Sequence, residues 1–119
     1  MSDELKTEFW VSALVRRAGI QGAFAAIGRK GDPDAGVVLV KVATLDGKAR
    51  LYAPARRGEE GERVWIDLSA GTLGDIEAVV DAYVRKRADT DPDLWLVEIE
   101  DRQGRHFLMD PVDSSGGAR

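Results

Sequence analysis

"TDPDLWLVEIEDRQGRHFLMDP", residues 90–111, decides the fold of this 119-residue chain. Its first half alternates as a strand does. Trp95, Val97 and Ile99 share one face, while Leu94, Leu96, Glu98 and Glu100 share the other. "DRQG" at 101–104 then suits a three-residue loop, 102–104, with Gly104 in the left-handed position of a bulge. A strand returning over 105–109 would set Asp101 against Arg105, Ile99 against Phe107 and Val97 against Met109. That register matches apolar with apolar, whereas a two-residue turn would set Glu100 against Phe107. The stretch is therefore expected to be a hairpin, with Glu98, Glu100 and His106 together on its polar face.

An earlier stretch, "GDPDAGVVLVKVATLDGKARLYAP" at 31–54, echoes it. Pro33 fixes φ, and Asp32 and Asp34 can accept from nearby amides, so the segment opens on a turn. Asp46-Gly47 predicts a two-residue hairpin turn pairing Val42 with Leu51 and Val40 with Ala53. This register puts Val38, Val40 and Val42 on one face and Val37, Leu39, Lys41 and Tyr52 on the other. The echo reads either as an internal repeat or as two hairpins with similar turn chemistry.

Around these strands the sequence predicts two helices. In the first, over 2–19, Ser2 is the N-cap, Asp3 and Glu4 suit the positive end of the dipole, and Gly19 follows the end. Trp10, Ala13, Leu14 and Ala18 recur at helical spacing, flanked by Val11 and Val15. The second, about 73–88, has Thr72 as cap and Ile76, Val79, Val80, Tyr83 and Val84 as its apolar stripe. With short strands at "GAFAAIGRKG" and "RVWIDL" and a charged loop at 55–62, the expected fold is α+β: two layers, a mainly antiparallel sheet of five or six strands, and two helices. Residues 1–112 form the single domain, and 113–119, polar and glycine-rich, a disordered tail.

The bulk numbers narrow the function classes. The net charge of −4 disfavours general nucleic-acid binding. With no cysteine there is no disulfide, thiolate nucleophile or cysteine-ligated metal. The acidic N-terminus is unlike a signal peptide, and no apolar run nears the ~20 residues of a membrane span. A cytoplasmic protein is expected.

The segments "LKTEFWVSALVRR", "GDPDAGVVLVKV", "DGKARLY" and "DPDLWLVEIEDRQGRHFL" resemble domain-of-unknown-function family 1491, small bacterial proteins. The resemblance runs from about Leu5 to Leu108. It implies a single-domain bacterial cytoplasmic protein, and brings no activity, cofactor or catalytic residue with it.

Chemistry is weighed on the hairpin face. Glu98, Glu100 and His106 could bind a divalent metal or exchange protons. The competing reading is a solvated strand face with a cross-strand Glu100–His106 pair that raises the imidazole pKa. A metal-dependent nuclease pattern is approached twice and completed nowhere: Pro92-Asp93 leads to Glu98-Ile99-Glu100 without a lysine, and Pro33-Asp34 leads to Lys41 without an acid at Leu39. Any Ser-His-Asp arrangement would need His106, and no serine lies in a nucleophile-elbow motif. Trp10, Trp65 and Trp95 read as core rather than as a stacking platform.

These readings favour a module that binds another protein or itself, with no cofactor, over an enzyme. The alternative is a metal-dependent hydrolase or nuclease on the acidic face. The self-association argument rests on the second sheet face, where Val37, Leu39, Tyr52, Leu94, Leu96 and Leu108 are apolar. Either a helix or a partner covers it.

Overall fold

The computed structural model describes residues 6–114; the expected cap residues Ser2 to Glu4 and the end of the tail, 115–119, lie outside them. The elements are α1 (Thr7–Ile20), β1 (Phe24–Arg29), β2 (Val38–Ala43), β3 (Ala49–Arg57), β4 (Glu62–Asp67), a 3-10 turn (Leu68–Ala70), α2 (Glu77–Thr90), β5 (Trp95–Glu100) and β6 (Val112–Asp113). The strands form one six-stranded sheet in the order β1-β5-β2-β3-β4-β6.

The strand at 95–100 is an interior one, and the expected hairpin does not form. β5 pairs antiparallel with β1, setting Ile99 beside Ala25, and parallel with β2, setting Ile99 beside Val42. With both edges taken, residues 105–109 have no ladder to join. The turn itself is as expected: Gly104 has φ 73° and its N–H reaches Asp101 O. Beyond it Phe107 adopts φ 61°, a left-handed conformation that ends any extension, and Arg17 of α1 donates two hydrogen bonds to its carbonyl.

The echo between the two "DPD" stretches marks neighbouring parallel strands. Each Asx turn forms, Asp32 accepting from Asp34 and Ala35 and Asp91 from Asp93, and Asp32 N–H reaches Asp93 O across the gap. The parallel ladder begins there with Val38 beside Trp95. β4 and β6 are parallel as well, so the sheet is mixed, not mainly antiparallel.

The β2–β3 hairpin differs by one residue from expectation. Val42 faces Arg50 and Val40 faces Tyr52, because the turn uses three residues, 45–47, closed by Thr44 N–H on Lys48 O. Leu45 and Gly47 both have positive φ, and Asp46 accepts from Thr44 and Lys48. A one-residue slip exchanges faces. Tyr52 therefore joins Val38, Val40 and Val42, and Leu51 joins Leu39.

Each face has its own helix, which makes three layers rather than two. Val11 and Leu14 of α1 pack with Val40, Val42, Tyr52, Trp95, Val97 and Ile99. Val80 and Val84 of α2 pack with Leu39, Leu51, Leu94 and Leu96. Burying each such side chain is worth ~1.5–3 kcal/mol. The second apolar face is thus covered by α2, and the sequence argument for a partner there falls away.

α2 begins later than its periodicity suggested. Ala49 N–H bonds Asp75 O and Glu77 N–H bonds Gly47 O, so this stretch ties to the β2–β3 turn before the helix can start. Thr72 caps nothing, and Ile76, at the N-cap, is 58% exposed rather than core. The helix is fixed by charge as well. Lys41 on β2 is 7% exposed, and its Nζ lies 2.8 Å from Glu77 and 2.7 Å from Asp81. Burial alone would push this lysine's pKa down; the two carboxylates outweigh it and hold the value above the ordinary one.

Neither helix covers its whole face. α1 lies mainly on β1 and β5, while α2 lies mainly on β3. What remains is a hollow over β3–β4 on the α1 side and an open surface over β1–β5 on the α2 side.

Candidate functional site

The three residues singled out in the sequence do not meet. Glu98 and Glu100 stay on the α2 side of β5, Glu98 beside Lys41 and Ala26, Glu100 beside Phe24. Gly28 makes room for Glu98: a Cβ there would stand 2.9 Å from the carboxyl carbon. His106 follows the Gly104 turn to the opposite side of the sheet, where its ring meets Tyr52 edge-on at 5.0 Å. Its Nδ1 accepts the Leu108 N–H, which leaves any ring proton on Nε2 in the neutral form. Burial pushes its pKa down, opposed by the nearby Asp67 carboxylate. The expected upward shift from Glu100 does not arise, because the sheet lies between them. Among the described residues no group of three His, Asp or Glu side chains could hold a metal ion.

A concavity lies elsewhere, in the hollow that α1 leaves over β3–β4. It encloses about 650 Å³. Trp65, opposite Pro54 in the β3–β4 ladder, forms the floor, and Trp10 of α1 stacks on it with ring centroids 5.5 Å apart and planes at 21°. Thr7, Gly36 and Val38 close one side. Arg56 and Arg63, directly paired across the strands, form the other, and Asp110 stands at the rim. Arg56 gives one N–H to Gly61 O in the β3–β4 loop and remains exposed. Alternation places these groups: positions 54 and 56 of β3 and 63 and 65 of β4 all point to the α1 side. An apolar floor with a few placed polar groups is the usual make-up of a binding site.

This architecture is shared. The model of a family of proteins of unknown function, DUF1491, matches residues 5–109. The chain belongs to the DUF1491 family. It is similar to the crystal structure of a DUF1491 protein from Caulobacter crescentus CB15, with 51% identity, a TM-score of 0.84, and coverage of 92% of this chain and 100% of that one. An NMR structure of a DUF1491 protein from the same organism matches at 52% identity and TM-score 0.78, covering 92% of this chain and 96% of that one. The solution structure of protein Atu0922 from A. tumefaciens matches at 32% identity and TM-score 0.70, over 92% of this chain and 96% of that one. No curated protein matches the chain.

In this DUF1491 chain the groove was the feature that sequence reading missed. Trp65 is 6% exposed, as the core reading expects, while Trp10 is half-buried at the groove. The available signal was the pairing of "PARR" with "RVW", which sets guanidinium groups beside indole on one face. A second polar cluster was also missed. Asp67 is 2% exposed and accepts hydrogen bonds from Ser69 N–H and Oγ, with Arg50 Nη1 at 3.8 Å. Ser69 is thus turned to Asp67 and not to His106, and the cluster caps the 3-10 turn. Among the described residues no helix is long and apolar enough to cross a membrane.

Proposed function

We propose that this DUF1491 chain is a small cytoplasmic protein-binding module whose groove receives an extended segment of a partner. The observation that carries this is the Trp10–Trp65 stack flanked by Arg56. Indole supplies large rigid contact area at low entropic cost, and Trp and Arg are the side chains most enriched where binding energy concentrates. In a chain of net charge −4, an arginine wall beside an aromatic floor selects a segment with an apolar side chain for the floor and a carboxylate for Arg56. The hydrolase alternative has no such support, since Glu98 and Glu100 are divided from His106 by the sheet and the Lys41 ammonium is held by Glu77 and Asp81.

Selection of peptides from an unbiased displayed library with the full chain tests the proposal. Peptides rich in acidic and apolar residues should emerge and quench tryptophan fluorescence. Arg56→Glu and Trp10→Ala should each weaken them by about tenfold or more, ~1.4 kcal/mol. Circular dichroism checks that both variants fold. If nothing is selected, or if the variants bind unchanged, the groove is not the binding site.

A further inference from the structure

The two edges of the sheet are finished differently. At one edge β6 pairs with β4, and Trp65 N–H bonds Pro111 O. At the other, β1 pairs with β5 on its inner side, and among the described residues no other strand follows it in the sheet order. Its first four residues, "FAAI" over 24–27, carry no charge or proline, and the one charged residue of the strand, Arg29, turns its guanidinium inward to Leu94 O and Pro92 O. Phe24 is 62% exposed on one face and Ile27 44% exposed on the other. Open edges invite pairing, and proteins commonly guard them with inward charges, prolines or bulges. Here both guards, the irregularity between Ile27 and Arg29 and the inward charge of Arg29, sit at the strand's C-terminal end and leave 24–27 open.

We propose that β1 is a self-association edge that pairs antiparallel with β1 of a second copy, joining two sheets into one. This goes beyond the groove reading and does not depend on it. A two-fold axis perpendicular to the sheet keeps like faces together, so the pair centres on a single residue. Ala25 and Ala26 both suit that place. In either register Phe24 of one copy lies over a small residue of the other, Ala26 or Gly28. The charges agree with this orientation. Glu100 stands beside Phe24 at one end of the strand, whereas Arg29 and Lys30 close the other. Antiparallel pairing brings the basic end of each strand to the acidic end of its mate. The seam is short against the ~1,000 Å² of a lasting interface, so the dimer is a reversible one.

Sedimentation velocity on the full chain, from low to high micromolar concentration, tests it. The wild type should shift from monomer towards dimer, with slowed amide exchange at Phe24 to Ile27. Phe24→Asp, at an exposed position, should remain monomeric with an unchanged circular dichroism spectrum, while Trp10→Ala should dimerise as before. A wild type that stays monomeric throughout overturns the proposal, and so does a dimer that Phe24→Asp leaves intact.

Discussion

The two faces of the sheet are built from the same alternating strands yet end differently. On the α1 side the core contains three aromatic residues, Tyr52, Trp65 and Trp95, and the polypeptide after β5 folds over it through Phe107 and Leu108. On the α2 side the buried cluster is aliphatic, and a charged lysine rather than a ring fastens the helix. α1 lies mainly over β1 and β5, so the aromatic face leaves a groove over β3–β4. The aliphatic face closes more fully over β2 and β3 and leaves its open surface at the β1 edge. Concavity in this protein follows from where each helix lies on its face.

Truncations on each face test that contrast. Trp95→Ala should have the largest effect, a loss of about 3–5 kcal/mol in urea unfolding. The residue is 1% exposed, and its Nε1 donates to Asp32 O at 2.7 Å, a bond that would be lost as well. Leu94→Ala on the aliphatic face should cost less; an equal or larger loss there would break the comparison.

Gly31→Ala comes next. The added Cβ would stand 2.1 Å from Asp93 O and 2.7 Å from the Trp95 ring, so backbone must move. A loss of about 1–3 kcal/mol is expected. Wild-type stability in this variant would mean that the two "DPD" turns are not in contact.

Lys41→Met should cost about 1–2 kcal/mol, below the figure for a fully buried pair, because Glu77 and Asp81 are about one-third exposed and can rehydrate. Adding Glu77→Gln and Asp81→Asn should recover part of the loss, since no unpaired charge then remains. A triple variant weaker than the single would show that α2 depends on these carboxylates in another way.

The smallest effect belongs to His106. Its folded pKa lies below the unfolded ~6.5, so neutral imidazole is favoured by folding. The contribution is complete above the unfolded pKa and is lost as pH falls through the folded value. Against His106→Gln, the wild type should lose under ~1 kcal/mol between pH 8 and pH 5. The ring resonances should titrate below the free-histidine midpoint, and Asp67→Asn should lower that midpoint further. A midpoint above 6.5 would mean that a carboxylate outweighs burial at His106.

Local chemistry was legible in the sequence and long-range pairing was not. The Gly104 turn, the Asx turns at Asp32 and Asp91, and the faces of β2 and β5 follow from residue type and spacing. Strand partners do not, because a ladder depends on which edge is free. Reading residues 95–109 as a hairpin assumed that β5 had an edge to offer, and β1 and β2 had taken both. That error placed His106 beside Glu100. The one-residue slip at Asp46 similarly misplaced Tyr52, since Leu45 takes positive φ, a cost that sequence preference does not foresee. The groove depends on the second correction: it exists only once Tyr52, Pro54 and Arg56 turn to the α1 side.

The position of β5 also governs how this chain can be made. During synthesis β1, β2, β3 and β4 emerge first, yet β1 and β2 are not neighbours, and the strand that joins them leaves the ribosome last but for β6. Until residue 100 is free, only the β2–β3–β4 meander can form, and its β2 edge stands open beside an unpaired β1. Non-local closure of this kind is slow and leaves sticky edges waiting. The nascent protein therefore passes through a vulnerable interval in which a chaperone would have most to hold, and one late strand ends it by insertion.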